Sequence, residues 1–152
     1  MNINIKNIVI PVLILLFSLA AFSEEIPQKI AKSFFEAINK KEYRKAYDYL
    51  SLAAKDDVRY PDFAEKGRDV IRVDLVSIKI IDEDSKLIRT KVKANVVGRQ
   101  DNQIFKALYG GKVDLKKENG TWKIITVDLE PLAQKAVNGK ERKRILQIGT
   151  GR

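Results

Sequence analysis

The chain is 152 residues long and carries a formal net charge of +9, from 29 Lys or Arg against 20 Asp or Glu. It contains neither Cys nor His. The lack of Cys excludes disulfides, thiolate metal sites and a lipid carried on a Cys after a leader, and the lack of His excludes a Ser-His-Asp catalytic set.

Residues 1–23 have the pattern of a secretory signal peptide. Lys6 lies in a short polar start, residues 8–22 are apolar, and the small residues Ala21 and Ser23 precede Glu24. This arrangement predicts cleavage after Ser23 and an exported protein, periplasmic or secreted. The alternative is an uncleaved inner-membrane anchor through residues 8–22, because the apolar run is only slightly shorter than a membrane span.

Three helices are predicted at the start of the domain, which we place at residues 24–130. Apolar residues recur at steps of three and four over 27–39 and again over 42–53, so each stretch has one apolar stripe. The two helices meet at a turn in which Asn39 is suited to a left-handed conformation. A third, short helix begins at Pro61 and is expected to end at Gly67.

After Gly67 the apolar period changes from 3.6 to 2, which predicts strands over 70–81, 87–97, 104–116 and 121–129. A change of parity predicts a bulge near Leu75, and Asn119-Gly120 is a hairpin signal. The glycine pair Gly110-Gly111 predicts a bulge or sharp bend, or a close approach of another backbone or of a ligand. The expected fold is α+β, with the helices packed on a curved four-stranded antiparallel meander sheet.

A curved sheet that is closed at one end by helices encloses a conical hollow. Five aromatic residues have the parity to face it, namely Phe34, Tyr47, Phe105, Tyr109 and Trp122. They either fill the hollow as core or line a ligand pocket, and Trp122 in particular is expected to be largely buried against the first two helices.

Two stretches resemble a known family. FFEAINKKEYRKAYDYLS, which begins at Phe34, resembles the opening of nuclear-transport-factor-two-like (cystatin-like) domains, and NGTWKIITVDL, which begins at Asn119, resembles their last strands. The resemblance covers about residues 27–130 and implies the cone-shaped fold. The family contains isomerases, dehydratases, polyketide cyclases, transport factors and exported modules of unknown role, so it implies no single function.

The resemblance also tests the enzymatic alternatives. A dehydratase of this fold uses a His base, which this chain lacks. An isomerase uses an Asp base with a Tyr and a protonated Asp as donors. Asp128, which is predicted to share a face with Trp122 and Ile124, is therefore the candidate base and Tyr109 the candidate donor, whereas Asp114 is expected on the solvent face.

Residues 131–152 are predicted to form a short helix up to Gly139 and then a basic tail. The tail contains the cationic residues Lys140, Arg142, Lys143, Arg144 and Arg152, next to the apolar run 145–148. It is either a frayed terminus or a segment that docks on an anionic surface.

Together these features favour an exported, non-enzymatic binding or interaction module of the bacterial cell envelope. Its expected partner is a small apolar ligand or an envelope protein. The alternative is a small enzyme or carrier, isomerase-like or cyclase-like, that uses the hollow. The sequence has no metal-ligand cluster, phosphate-binding loop or nucleic-acid motif, so no metal, cofactor or nucleic acid is expected.

Overall fold

The computed structural model describes residues 26–132 and 145–149, and within them four helices precede a five-stranded antiparallel sheet. The predicted leader, and the predicted tail apart from 131–132 and 145–149, lie outside these residues. The elements are α1 Ile26–Asn39, α2 Tyr43–Asp48, α3 Leu52–Asp57, α4 Tyr60–Asp69, β1 Val70–Glu83, β2 Leu87–Gln100, β3 Gln103–Glu118, β4 Thr121–Pro131 and β5 Ile145–Ile148.

The strands lie in the sheet in the order of the chain, β1-β2-β3-β4-β5, and every pair is antiparallel. The predicted α+β class and the meander are therefore confirmed. The number of strands differs, because the apolar run assigned to the tail pairs as β5 with β4, through Ile145 opposite Leu129 and Ile148 opposite Val127.

Helix α1 packs its apolar stripe on the sheet, as its periodicity predicts. Ala31, Phe34 and Ile38 have no exposed surface. The residue that takes the left-handed conformation after the helix is Lys41, with φ of 62°, and not Asn39. Asn39 is the last helical residue, and its side chain is bonded to β1 instead.

The second predicted helix is divided into α2 and α3. Between them the chain pairs with β4: the Ser51 N–H donates to the Ile124 carbonyl at 2.8 Å, and the Ile124 N–H donates to the Tyr49 carbonyl at 2.9 Å. Ser51 then caps α3, since its hydroxyl accepts the Ala54 N–H at 3.0 Å. Backbone pairing with the sheet replaces one turn of helix here.

Helix α4 is longer than predicted, and Gly67 lies inside it rather than after its end. A Cβ at this position would lie 2.8 Å from Cε1 of Tyr43. Gly67 therefore gives the Tyr43 ring room to pack against α4.

Strand β2 alternates as predicted. Its inward residues are buried, namely Ile88, Thr90, Val92, Ala94 and Val96. The bulge predicted near Leu75 is also present, because the register of β1 on β2 shifts between Leu75 and Ser77 and leaves Val76 56% exposed. Asn119 and Gly120 have φ of 50° and 81°, which confirms the hairpin turn.

The pair Gly110-Gly111 does not form a bulge, because the register is continuous there with both β2 and β4. A Cβ on Gly111 would lie 1.8 Å from the Asp128 carbonyl oxygen. Of the two explanations that the sequence offered, the close approach of another backbone is the one observed.

No helix in the described ranges is both long enough and apolar enough to cross a membrane.

Candidate functional site

The inside of the cone is packed with the side chains that were predicted to line it. Phe34 and Tyr109 are 0% exposed, and Phe105 is also buried. The rings of Phe105 and Tyr109 lie 6.4 Å apart, and those of Phe34 and Phe63 lie 6.2 Å apart. These three predicted pocket residues belong to the hydrophobic core, which is the first of the two interpretations.

Tyr47 is half-buried at the rim of this core. Its ring packs against Tyr60 and Phe63, with centroids 5.4 Å and 5.5 Å away. Its hydroxyl donates to the Val58 carbonyl at 3.2 Å and lies 3.4 Å from the Lys55 carbonyl. The polar tip of Tyr47 is thus bonded to the backbone of the neighbouring helical segment.

Trp122 is less buried than predicted. It is partly exposed and packs against the edge of the core, and Lys117 Nζ lies 5.8 Å from its ring centroid. The reason is its place at the hairpin end of β4: the helical segment contacts this strand through the backbone of Ile124 instead.

Asp128 points away from the hollow. Its neighbours Val127 and Leu129 are buried in the core, and successive residues of a strand point to opposite faces. The prediction failed because β4 shifts register against β3 at Ile125, between Ile124 and Thr126, which reverses the face of the residues that follow. Asp128 and Tyr109 therefore lie on opposite faces of the sheet and cannot act together as base and donor.

Asp114 lies on the outer face, as predicted, but its side chain is only 17% exposed. Arg89 Nε is 3.8 Å from one carboxylate oxygen. The other oxygen is buried and has no hydrogen-bond partner in the described part of the chain. Burial raises the pKa of Asp114, and the positive charges of Arg89 and Lys112 oppose that shift.

A cleft of about 220 Å³ lies between α1 and β1, a region that the sequence did not indicate as a site. Its lining comes from one face of α1 and from the middle of β1, namely Lys32, Phe35, Glu36, Asn39, Val73, Asp74 and Leu75. The one feature of the sequence that relates to this cleft is the amide residue Asn39 at the end of the predicted helix. Its bonding partner, Val73, is 34 residues away, so the sequence alone does not indicate the contact.

The end of α1 is fastened to the free edge of β1 next to this cleft. The Asn39 amide nitrogen donates to the Val73 carbonyl at 2.8 Å, and its oxygen accepts the Val73 N–H at 2.7 Å. Lys41 Nζ donates to the Val70 and Ile71 carbonyls at 2.6 Å and 3.0 Å. Burial lowers the pKa of Lys41.

The described residues contain no group of three or more acidic side chains that could hold a metal ion. The predicted anionic-surface residues Lys140, Arg142, Lys143, Arg144 and Arg152 lie outside the described ranges.

Comparison with known proteins identifies the fold. No family model matches the sequence, and no curated protein does. Among solved structures, an NTF2-like protein with a cystatin-like fold from Novosphingobium aromaticivorans has a TM-score of 0.56 at 8% identity, over 80% of this chain and 90% of that chain.

Two further structures have similar scores. A protein of the NTF2-like family from Streptomyces avermitilis, whose name proposes a dehydratase, has a TM-score of 0.51 at 8% identity, over 66% of this chain and 89% of its own. A Mycobacterium tuberculosis protein of unknown function has a TM-score of 0.52 at 13% identity, over 71% of this chain and 70% of its own. The chain thus has the nuclear-transport-factor-two-like, cystatin-like fold, which confirms the resemblance drawn from its sequence.

Proposed function

We propose that this protein is an exported binding module of the bacterial cell envelope that engages its partner through its surface rather than through the interior of the cone. Export is supported by the pattern of residues 1–23, with Ala21 and Ser23 before Glu24. The dehydratase named for the Streptomyces protein is not part of the proposal, because the resemblance implies a His base and this chain has no His.

The observation that carries the proposal is the packing of Phe34 and Tyr109. Both side chains are fully buried at the positions where a ligand of the cone would contact them. A ligand would have to displace aromatic side chains from a close-packed core. In such cores a change in side-chain volume of even one methylene group affects stability. Surface contacts require no such displacement.

The experiment compares the exported protein with the variant Tyr109→Ala. Each is tested by calorimetry and thermal shift with small apolar probes, starting with indole and benzene. We expect no binding by the wild type. The variant, which gains an apolar cavity, should bind at least one probe, as enclosed apolar cavities do. Binding of a probe inside the cone of the wild type would overturn the proposal.

Export is tested separately by intact mass of the protein from its native host. The expected product begins at Glu24. A product that retains Met1 would show that residues 8–22 remain as an anchor, and the module would then act at the membrane surface.

A further inference from the structure

Within the described part of the chain β1 is an edge strand, and bonds from the end of α1 and the turn after it reach only the beginning of its outer edge. Among the strands of residues 26–132 and 145–149, β1 lies outermost and pairs with β2 alone. Lys41 and Asn39 occupy the backbone groups of Val70, Ile71 and Val73. An uncovered edge offers a row of N–H and C=O groups to any extended backbone that approaches it.

The hydrogen bonds of Asn39 show which backbone N–H and C=O groups of β1 point away from β2. Its amide meets both the N–H and the C=O of Val73, as a residue of a neighbouring strand would. Backbone groups alternate between the two edges of a strand, so Leu75 directs its own N–H and C=O to the same side as Val73. In the described residues, no group outside the sheet is bonded to Leu75.

The cleft lies at the same place. Val73 and Leu75 contribute to one wall and the buried Phe35 to the other. The polar part of the lining comes from Lys32, Glu36, Asn39 and Asp74. Its volume of about 220 Å³ is below the range of about 300–1,000 Å³ that is usual for small-molecule pockets. A cleft of that size suits one apolar side chain, and it adjoins backbone groups that suit a strand.

We propose that the free edge of β1 at Leu75, together with this cleft, binds an extended segment of another polypeptide. The segment adds to the sheet as a short strand, bonded to Leu75, and places one apolar side chain against Phe35. This inference rests on the proposed function, because it names the surface and the partner class of the binding module.

A second copy of the chain is a poorer occupant of the same edge. Two β1 strands would need a long regular register, whereas β1 shifts register against β2 three times, between Val70 and Arg72, between Leu75 and Ser77, and between Ile80 and Asp82. Bulges of this kind are a common protection of edge strands against pairing with their own kind. A peptide that bonds only to Leu75, beside the bonds that Asn39 makes to Val73, needs no continuous register across the bulges.

The test is a selection of displayed random nonapeptides on the exported protein, followed by calorimetry with the enriched peptides as synthetic probes. We expect enrichment of peptides that carry an apolar residue between β-branched ones. Each peptide is then made in two forms, N-methylated at alternate backbone nitrogens in one phase or the other. Methylation of the N–H groups that face β1 should weaken binding at least tenfold, or about 1.4 kcal/mol. Methylation in the other phase should have little effect.

Two variants of the protein locate the site. Leu75→Pro removes the backbone N–H of this residue, which points away from β2. An edge strand tolerates proline at such a position, so we expect the variant to fold and to lose binding. Leu75→Val keeps the donor and should bind within about threefold of wild type, a difference of less than about 1 kcal/mol. Circular dichroism and urea midpoints check that both variants fold. If Leu75→Pro does not fold, the pair of N-methylated peptides still decides the question.

Three outcomes would overturn the inference: no enrichment above background, equal binding to both phases of N-methylated peptide, or a concentration-dependent dimer that is lost in Leu75→Pro, which would make a second copy the occupant. None of these affects the proposed function itself. That proposal fails by a different result, the binding of an apolar probe inside the wild-type cone.

Discussion

Replacing Gly111 with Ala should destabilise the protein severely, although the change adds only one methyl group. The new Cβ would lie 1.8 Å from the Asp128 carbonyl oxygen, 2.9 Å from the Asp128 carbonyl carbon and 3.1 Å from the Leu129 Cα. All three atoms belong to the backbone of β4, so no side chain can rotate to make room. The strands β3 and β4 must move apart instead.

The size of that movement sets the cost. Close carbon–oxygen contacts lie near 3.3 Å, so β4 must shift by more than about 1 Å, and N–H···O bonds do not survive such a stretch. Loss of two or three bonds around the pairs Gly111–Leu129 and Lys112–Asp128 costs about 0.5–1.5 kcal/mol each. Overpacking adds about 1–3 kcal/mol. We therefore expect a loss of roughly 3–5 kcal/mol, a large part of the 5–15 kcal/mol that is typical of a domain.

Gly120→Ala is the matched control. No atom lies within 4 Å of a Cβ at this position, but the residue has φ of 81°, so the substitution costs only the strain of a left-handed conformation, about 1–2 kcal/mol. Urea unfolding at pH 7, followed by the fluorescence of the single Trp, measures both. If Gly111→Ala lost no more stability than Gly120→Ala, the steric reasoning would be refuted.

Three further substitutions test the rest of the structure. Asn39→Leu should cost about 1–3 kcal/mol because it leaves Val73 without both partners, whereas the exposed Lys40→Ala should change stability by less than about 0.5 kcal/mol. Asp114→Asn should stabilise the protein at pH 7, because burial raises the pKa of this carboxyl and the folded state disfavours its charged form. That gain should disappear as pH falls below about 3.9, where the wild type is protonated in both states, and a pH-independent gain in urea midpoints would contradict the assignment. Trp122→Ala should cost about 1–3 kcal/mol, less than the 3–5 kcal/mol of a fully buried Trp, and a loss in the higher range would place Trp122 inside the core.

The sequence predicted those parts of the fold in which side-chain type changes with every residue. Strand β2 alternates apolar with charged positions, so its inner face was identified correctly. In β1 the parity reverses at Leu75, and the bulge was predicted from that reversal. In β4 the corresponding shift falls at Ile125, between Ile124 and Thr126, and because Ile125 is identical to Ile124 a period of two fits either face. Asp128 was assigned to the wrong side for that reason alone.

The break between α2 and α3 had a local signal that the periodicity concealed. Ser51 is a favourable cap, and it is followed by Leu52 and two alanines, which are good helix formers. The helical spacing of apolar residues that includes Tyr47 and Leu50 nevertheless continues past Ser51, so the periodicity alone predicted one unbroken helix. The run 145–148, three apolar residues and one Gln, was likewise too short to distinguish a strand from a docking patch. What makes it the strand β5 is its pairing with β4, which no local pattern contains.

The cleft beside β1 depends on a contact that no local pattern contains. Asn39 was predicted to end the helix through its own backbone conformation. Instead its side-chain amide bonds to the N–H and the C=O of Val73, as the backbone of a neighbouring strand would. Lys41, two residues later, bonds to the carbonyls of Val70 and Ile71, so the chain after Asn39 runs towards the start of β1 and away from Leu75. The bonds from Asn39 to Val73 are the last that this segment makes along β1, so they set where the backbone groups without such partners begin among the described residues, and with them the position of the proposed peptide site.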